Sequence, residues 1–260
     1  MSPNQNILER GQWVDRTIDL YVGDLIEYDM KDGGLNILRE YKLLPPYMIE
    51  KIAAIPKGHE RNRFVGNLKH DPQYKEIPRI QNEKFKELRI RFGEQNELAN
   101  EDIFAVRKDA IFTKRYCYNT KIGDYIEFRE KNKYDAMMRL GRLEFYWNRT
   151  SPTMDVKGLP DEAVEKHTLY MNRVILKFIS YLASFDEEGA RKYIVSVIDK
   201  YKYGELDPGY YRTYDNKAGY QMIINGEVHV IENIGPSQIL ATNIGYNFNE
   251  ILVPMLRMVQ

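Results

Sequence analysis

The chain has 260 residues, of which 43% are apolar and 12% aromatic, and its formal net charge at pH 7 is zero. This length and composition suffice to bury a large core. Cys117 is the only cysteine, which excludes an internal disulfide and a thiolate metal cluster. No apolar run approaches the roughly 20 residues that cross a bilayer, and residues 1–11 lack the pattern of a secretory signal. We therefore expect a cytoplasmic protein with no membrane partner.

Positive charge is concentrated in two stretches of this neutral chain. Residues 57–91 and residues 107–149 each carry an excess of five positive charges over negative ones. Such stretches can follow a phosphate backbone, so a nucleic-acid partner is one interpretation. An ordinary solvated surface is the other, and charge alone does not decide between them.

The first predicted elements are a strand and two helices. Residues 18–28 are mainly apolar and predict a strand, or a pair of strands, that ends at Asp29. The pair Gly33-Gly34 breaks the strand. Residues 35–41 and 47–55 then predict two short helices, each stopped by proline. An aspartate therefore lies between an apolar strand and a helix.

A second apolar strand with an aspartate follows further along the chain. Residues 57–79 are basic and lack a clear period, which indicates a loop with one helical turn around 63–68. Apolar residues at helical spacing predict an amphipathic helix at 81–93. Residues 103–112 then predict a strand that contains Asp109.

The middle of the chain predicts a strand meander. Its strands are expected at 122–130, 134–140 and 142–147, with turns near Gly123, Asn132 and Gly141. Because such strands are joined by short turns, we expect their pairing to be antiparallel.

Helices dominate the sequence after residue 158. Two apolar stripes at helical spacing predict helices at 171–182 and 190–201. Asn225-Gly226 lies between two apolar runs and predicts a β-hairpin near the end of the chain. The sequence therefore predicts an α+β fold with two domains, 1–158 and 159–260.

The two aspartates that follow or interrupt apolar strands could carry chemistry. Two-metal phosphoryl transfer needs carboxylates from separate elements that hold the ions about 3.5 to 4 Å apart. Asp29 and Asp109 could supply them, because carboxylate oxygens are hard ligands that suit Mg²⁺. The alternative is that each aspartate caps a turn or pairs with a neighbouring cation.

The order of motifs along the chain resembles that of the family B DNA polymerases. Residues 28–38 have the layout of the family's motif A, in which an aspartate follows an apolar strand and precedes a helix. Cationic residues that hold triphosphate come next in that family, followed by an asparagine and, four residues later, a glycine. The positions that match here are Lys57, Arg61, Asn62 and Arg63. Residues 107–112 are similar to motif C, with Asp109 at its second aspartate.

A further similarity lies downstream, where the family contacts the primer-template duplex. Residues 126–134, Arg142 and the pair Lys157-Gly158 resemble the strand and Lys-Gly signature that leads to the thumb. The resemblance implies a mainly antiparallel palm-like sheet with packed helices in 1–158 and a thumb-like helical region in 159–260. It also implies that Asp29 and Asp109 bind Mg²⁺ and that Arg142 and Lys157 bind nucleic acid.

Three departures from the family pattern support a second hypothesis. The aromatic residue of motif A falls at Gly34, the lysine of motif B at Gly58, and the first aspartate of motif C at Arg107. One hypothesis is a Mg²⁺-dependent nucleotidyltransferase that works as a subunit of a split polymerase, with a partner subunit. The other is a catalytically inactive, palm-like binding or assembly protein, which could be virus-encoded.

Overall fold

A mixed α+β architecture is confirmed by the computed structural model, which describes residues 7–141, 143–151, 154–158, 171–207, 210, 220–224, 227–231 and 248–260. The strands are β1 (Trp13–Val14), β2 (Leu20–Met30), β3 (Ile103–Val106), β4 (Ala110–Thr113), β5 (Phe128–Leu140), β6 (Leu143–Trp147), β7 (Met154–Lys157), β8 (Tyr220–Ile224) and β9 (Glu227–Ile231). The α-helices in these ranges are α1 (Gly33–Glu40), α2 (Pro46–Ala54), α3 (His59–Asn67), α4 (Ile77–Gln95), α5 (Met171–Ala183), α6 (Glu187–Lys202) and α7 (Val253–Arg257).

Seven of the strands form a sheet in the order β1-β3-β4-β2-β5-β6-β7. The pairings of β1 with β3, β3 with β4, β4 with β2, β5 with β6 and β6 with β7 are all antiparallel. By internal contacts the chain divides into two compact units, one formed by 1–16 and 24–133 and the other by 17–23 and 134–260. The predicted boundary near residue 158 adjoins 159–170, which lie outside the described residues, and it stays a prediction.

The core of the first unit joins β2 to α4 and β5. Phe92 of α4 lies between Tyr28 and Phe128, with ring centroids 5.4 Å and 4.5 Å away. All three side chains are buried, and aromatic pairs at such distances add to the free energy gained from burial. The core therefore fixes β2, which carries Asp29, against a long helix.

A smaller apolar cluster packs α1, α2 and α3 together, and it corrects one sequence prediction. Residues 57–79 were expected to form a loop with one helical turn, but 59–67 form α3. This helix buries Val65, while Leu68 directly after it is also buried. The helix begins after Gly58, whose φ of 136° is accessible only to glycine. Packing against α1 and α2 therefore stabilises a segment whose own apolar pattern is weak.

The predicted strand at 103–112 is wrong in one respect, because it is two strands. The chain bends at 107–109, where the Arg107 amide donates a hydrogen bond to the Ala110 carbonyl at 2.8 Å. Strands β3 and β4 then pair with each other. Asp109 therefore lies in the bend, directly before β4, instead of within a strand.

The predicted meander also differs from the observed strands. Residues 128–140 form the continuous strand β5, so the turn expected near Asn132 is absent from this stretch of described residues. Residues 122–126 are outside any strand, and the Tyr125 amide donates a hydrogen bond to the Glu40 carboxylate at 2.8 Å. The helix expected at 81–93 is longer, since α4 begins at Ile77 and ends at Gln95.

The second unit confirms both helices that the apolar stripes predict. Helix α5 buries Ile175 and Phe178, and α6 buries Ile194 and Ile198, all in one apolar cluster. Strands β8 and β9 pair as expected for the predicted hairpin, while its turn, Asn225-Gly226, lies outside the described residues. None of the helices in the described part of the chain is long and apolar enough to cross a membrane.

Candidate functional site

A polar cavity of about 460 Å³ opens in the first unit, between the sheet and three helices. Its walls come from the end of β2, the start of α1, one face of α3, the first half of α4 and the bend before β4. The aspartates singled out from the sequence, Asp29 and Asp109, both line it. Both belong to the same compact unit, so the structure brings together two residues that are 80 positions apart in the sequence.

Strand pairing explains why the two aspartates meet. Asp29 lies opposite Ala110 in the β2–β4 pair, and the Met30 amide donates a hydrogen bond to the Asp109 carbonyl at 2.9 Å. Burial, and then the negative charge of Asp109, raise the pKa of Asp29 above its ordinary value. Two carboxylates that repel each other in a cavity gain stability when a cation binds between them. The pair therefore suits a divalent cation with hard oxygen ligands.

A buried arginine, which no sequence pattern indicated, holds the bend that carries Asp109. Arg89 of α4 is 1% exposed, and its guanidinium donates hydrogen bonds to the carbonyls of Lys108, Leu8 and Arg10. Burial lowers the pKa of Arg89 to about 10, against the opposing effect of Asp109. Because three backbone carbonyls depend on this side chain, Arg89 positions the Asp109 bend.

The predicted triphosphate-binding cations face Asp32, another residue that sequence reasoning missed. Lys57 Nζ lies 3.0 Å and Arg61 Nη1 3.7 Å from Asp32 Oδ1. A hydrogen bond from Lys57 is the main cause of a lowered pKa for Asp32. Asp32 precedes α1 in a left-handed conformation with φ 45°. Sequence offered one signal, an aspartate directly before Gly33-Gly34.

The two cations differ in how firmly they are held. Arg61 donates hydrogen bonds to the carbonyls of Ile55, at 2.6 and 2.9 Å, and Ala53, at 3.3 Å. Its side chain is only 14% exposed, whereas that of Lys57 is 58% exposed. Arg61 is therefore a fixed positive charge, whereas Lys57 is more exposed and is paired with Asp32.

The other predicted nucleotide-binding residues have different positions. Asn62 lines the cavity together with Arg61, Val65 and Gly66, which follow one face of α3. Arg63 is exposed and is not among the described residues that line the cavity, because it lies about 200° around the helix from Arg61. Its predicted role in triphosphate binding stays a prediction.

Of the two predicted duplex contacts, only Lys157 is among the described residues, and it does not line the cavity. Arg142 is outside the described residues. Lys157 ends β7 in the second unit, opposite Glu144 in the β6–β7 pair, and is half-buried. Their roles stay predictions.

Two glycines take positions where the sequence resemblance to the family B polymerase motifs would place larger residues. Gly34 and Gly58 both line the cavity. The Gly34 carbonyl accepts a hydrogen bond from Gln81 Nε2 at 2.6 Å, and a Cβ at Gly34 would meet only that amide, at 3.5 Å. A Cβ at Gly58 would meet nothing within 4 Å, although its φ disfavours any side chain. The cavity is therefore wider at these two positions than it would be with side chains there.

A third carboxylate, Glu27, lies beside the aspartate pair but is already engaged. Its Oε1 lies 3.1 Å from Lys131 Nζ, and its Oε2 accepts a hydrogen bond from Asn132 at 2.7 Å. Burial acts to lower the pKa of Lys131, but the hydrogen bond to Glu27 and the charges of Asp29 and Asp109 raise it above the ordinary value. Among the described residues, no group of three or more His, Cys, Asp or Glu side chains is arranged to hold a metal ion.

The fold is similar to that of a solved structure. The chain matches the structure of the family B DNA polymerase from the hyperthermophilic archaeon Pyrobaculum calidifontis with a TM-score of 0.51 and 14% sequence identity. The match covers 93% of this chain and 45% of the polymerase, so the chain spans about half the length of that enzyme. At this identity the likeness shows a shared fold.

Sequence comparison then gives the family. The sequence model of the Bacteriophage PBS1 gene 130 protein family matches residues 2–259, and the chain belongs to that family. No curated protein matches the sequence. The resemblance to family B polymerases noted from the sequence is thus supported at the level of fold, and a viral relationship is supported by the family.

Proposed function

We propose that the cavity binds a nucleoside triphosphate together with Mg²⁺, and that the chain contributes to nucleotidyl transfer on a nucleic acid, with a partner subunit. The observation that carries this proposal is the composition of one cavity. Asp29 and Asp109 line it at the sheet, with Lys108 beside them, and Lys57 and Arg61 line it at the start of α3, paired with Asp32. We call these the carboxylate side and the cation side. A triphosphate with a bound divalent cation has the complementary arrangement of charge.

The residues present fit a divalent cation. Asp29 and Asp109 supply carboxylate oxygens beside neighbouring strands. Burial and then the charge of Asp109 raise the pKa of Asp29, and a bound cation would stabilise the ionised carboxylates against both effects. When bound, the cation would neutralise negative charge that develops on the phosphate oxygens. Arg61 would hold the phosphates with a fixed charge, and Lys57 would move from Asp32 to the ligand.

Primer extension tests this proposal. The full chain is incubated with primed DNA, the four deoxynucleoside triphosphates and Mg²⁺, alone and with proteins co-purified from infected cells as the source of a partner. We expect extension that D29N and D109N each reduce by at least about a hundredfold, because positioned charge is the main contribution to phosphoryl transfer. Arg63→Gln is the matched control, since Arg63 is on α3 but exposed outside the cavity lining. Extension that survives both aspartate substitutions would contradict a catalytic role for the pair.

A second candidate function is a palm-like binding or assembly protein without catalysis. Gly34 and Gly58 favour it, because each leaves the cavity wall without a side chain where related motifs carry one. This function predicts nucleic-acid binding that falls steeply with salt and is unaffected by D29N and D109N. Reversal of several charges in 57–91 should abolish such binding, which fluorescence anisotropy with labelled DNA would measure.

A further inference from the structure

We infer that the cavity takes a single divalent cation, and that the ammonium group of Lys131 supplies the second positive charge beside the carboxylate pair. This inference rests on the proposed function, because it specifies the cation content of the same site. It starts from the carboxylates near the end of β2, of which Asp29 and Asp109 are available, while Asp32 is paired with Lys57 and Arg61.

Glu27 is the carboxylate that a second cation would need. Glu27 and Asp29 are two residues apart in β2, so their side chains leave the same face of the strand. Both oxygens of Glu27 are nevertheless used within the protein, one by Lys131 and the other by Asn132. Only Asp29 and Asp109 therefore line the cavity as carboxylates from the sheet.

Burial of Glu27 makes it costly in free energy to break its ion pair with Lys131. The side chain of Glu27 is 4% exposed, so loss of its partner would leave a buried, uncompensated charge. The two residues lie on β2 and β5, within the first unit. A cation that entered this position would have to displace both the ammonium group of Lys131 and the amide of Asn132.

The charge of Lys131 acts on the aspartate pair as well as on Glu27. Its ammonium group interacts favourably with both Asp29 and Asp109. Lys131, together with the buried Arg89 beside Asp109, offsets part of the negative charge of Glu27 and the two aspartates. The attraction for a second divalent cation is therefore weaker than that for the first.

A titration with Mn²⁺ alone tests the inference without any catalytic step. Electron paramagnetic resonance of free Mn²⁺ measures the number of ions bound by the full chain and their affinity. We expect one bound ion per chain, lost in D109N. In Lys131→Met, we expect a second bound ion or an affinity at least about tenfold higher, because a positive charge has been removed beside the carboxylates.

Two further variants separate charge from structure. Lys131→Arg keeps the charge and should bind one ion with an affinity within about threefold of the natural chain, while circular dichroism reports whether each variant is folded. Arg129→Gln is the matched control, because Arg129 also interacts with Asp29 but is exposed on β5. We expect it to change the affinity less than about twofold, since solvent screens exposed charges.

The outcomes distinguish this inference from the proposed function. Two ions bound by the natural chain, or Lys131→Met that is folded but unchanged in number and affinity of ions, would overturn the inference even if primer extension is observed. One ion with the predicted dependence on Lys131, in a chain that neither binds nucleotide nor extends a primer, would support the inference and overturn the proposed function. Absence of Mn²⁺ binding would overturn both.

Discussion

The carboxylate side and the cation side of the cavity are built in different ways. Asp29 follows a run of buried residues in β2, and the bend of Asp109 is held by the buried Arg89. The cation side lies at the start of α3, a nine-residue helix that begins at the exposed Gly58. Its charges are organised by Asp32 and by the Arg61 hydrogen bonds.

This difference implies different roles for the two sides. Residues fixed in a buried sheet keep their geometry, which suits ligands of a metal ion. A short helix with few buried residues opens at a lower free energy than the core, which suits a side that adapts to a ligand. Substitution of Arg89, which supports the carboxylate side, should therefore mainly change stability, and substitution of Lys57 should mainly change affinity.

The largest effect is expected from Arg89→Met on the carboxylate side. This change removes the donors to three backbone carbonyls in a buried site, so we expect the free energy of unfolding to fall by about 3 kcal/mol. Urea unfolding followed by circular dichroism measures it. Arg79→Met on the exposed face of α4 is the control, with an expected change below about 0.5 kcal/mol.

The second largest change in stability is expected where the start of α1 packs closely against β2 and α4. A Cβ at Gly33 would lie 2.9 Å from Phe85 Cε1 and 3.1 Å from Met30 Sδ, so Gly33→Ala should destabilise the fold by about 2 kcal/mol. Gly66→Ala in α3 provides the contrast. Its Cβ would meet nothing within 4 Å, and we expect a stabilisation of about 0.5 kcal/mol. Equal changes in the free energy of unfolding for Gly33→Ala and Gly66→Ala would contradict the difference in packing between the two regions.

Lys57→Met is expected to change the affinity for a nucleotide more than the free energy of unfolding. Its ammonium group is exposed and is bound to Asp32, so its loss should lower the affinity for a nucleoside triphosphate about tenfold. Isothermal titration calorimetry would measure this, and the midpoint of urea unfolding should hardly move. Arg61→Met should instead lower both, since Arg61 also holds the carbonyls of Ala53 and Ile55.

The smallest effects concern pH and have opposite signs on the two sides. The folded pKa of Asp29 is above its ordinary value of 3.8, so its favourable contribution at low pH is lost as pH rises through the folded pKa. D29N should therefore be more stable than the natural chain at pH 7, by on the order of 0.5 kcal/mol after solvent screening. The difference should vanish when the pH falls below 3.8.

Asp32 should have the opposite effect on the pH dependence of stability. Its folded pKa is below 3.8, mainly because of the hydrogen bond from Lys57, so it stabilises the fold above pH 3.8 and this contribution is lost as pH falls through the folded pKa. D32N should be less stable at pH 7, by on the order of 0.5 kcal/mol. In a Lys57→Met background the effect of D32N should shrink, and an unchanged effect would show that Lys57 is not the cause.

Local pattern was sufficient for much of the fold. The apolar stripes predict α5 and α6 because a helix that packs on one face repeats its buried residues every 3.6 positions. Apolar runs likewise predict β2 and the β3–β4 region, together with the aspartates beside them. Helix α3 and the unbroken β5 were missed, since both depend on contacts with residues distant in the sequence.

The sequence by itself determined most of the elements, the aspartates near the ends of two strands and the cations around the start of α3. Only the tertiary structure decided which of these residues share a cavity. It placed Arg63 away from the cavity lining, turned Glu27 towards Lys131, and gave Arg89 its three carbonyls. The physical reason is that periodicity records which side of an element is buried, whereas a site depends on pairings across the sheet and on charges that meet from distant parts of the chain.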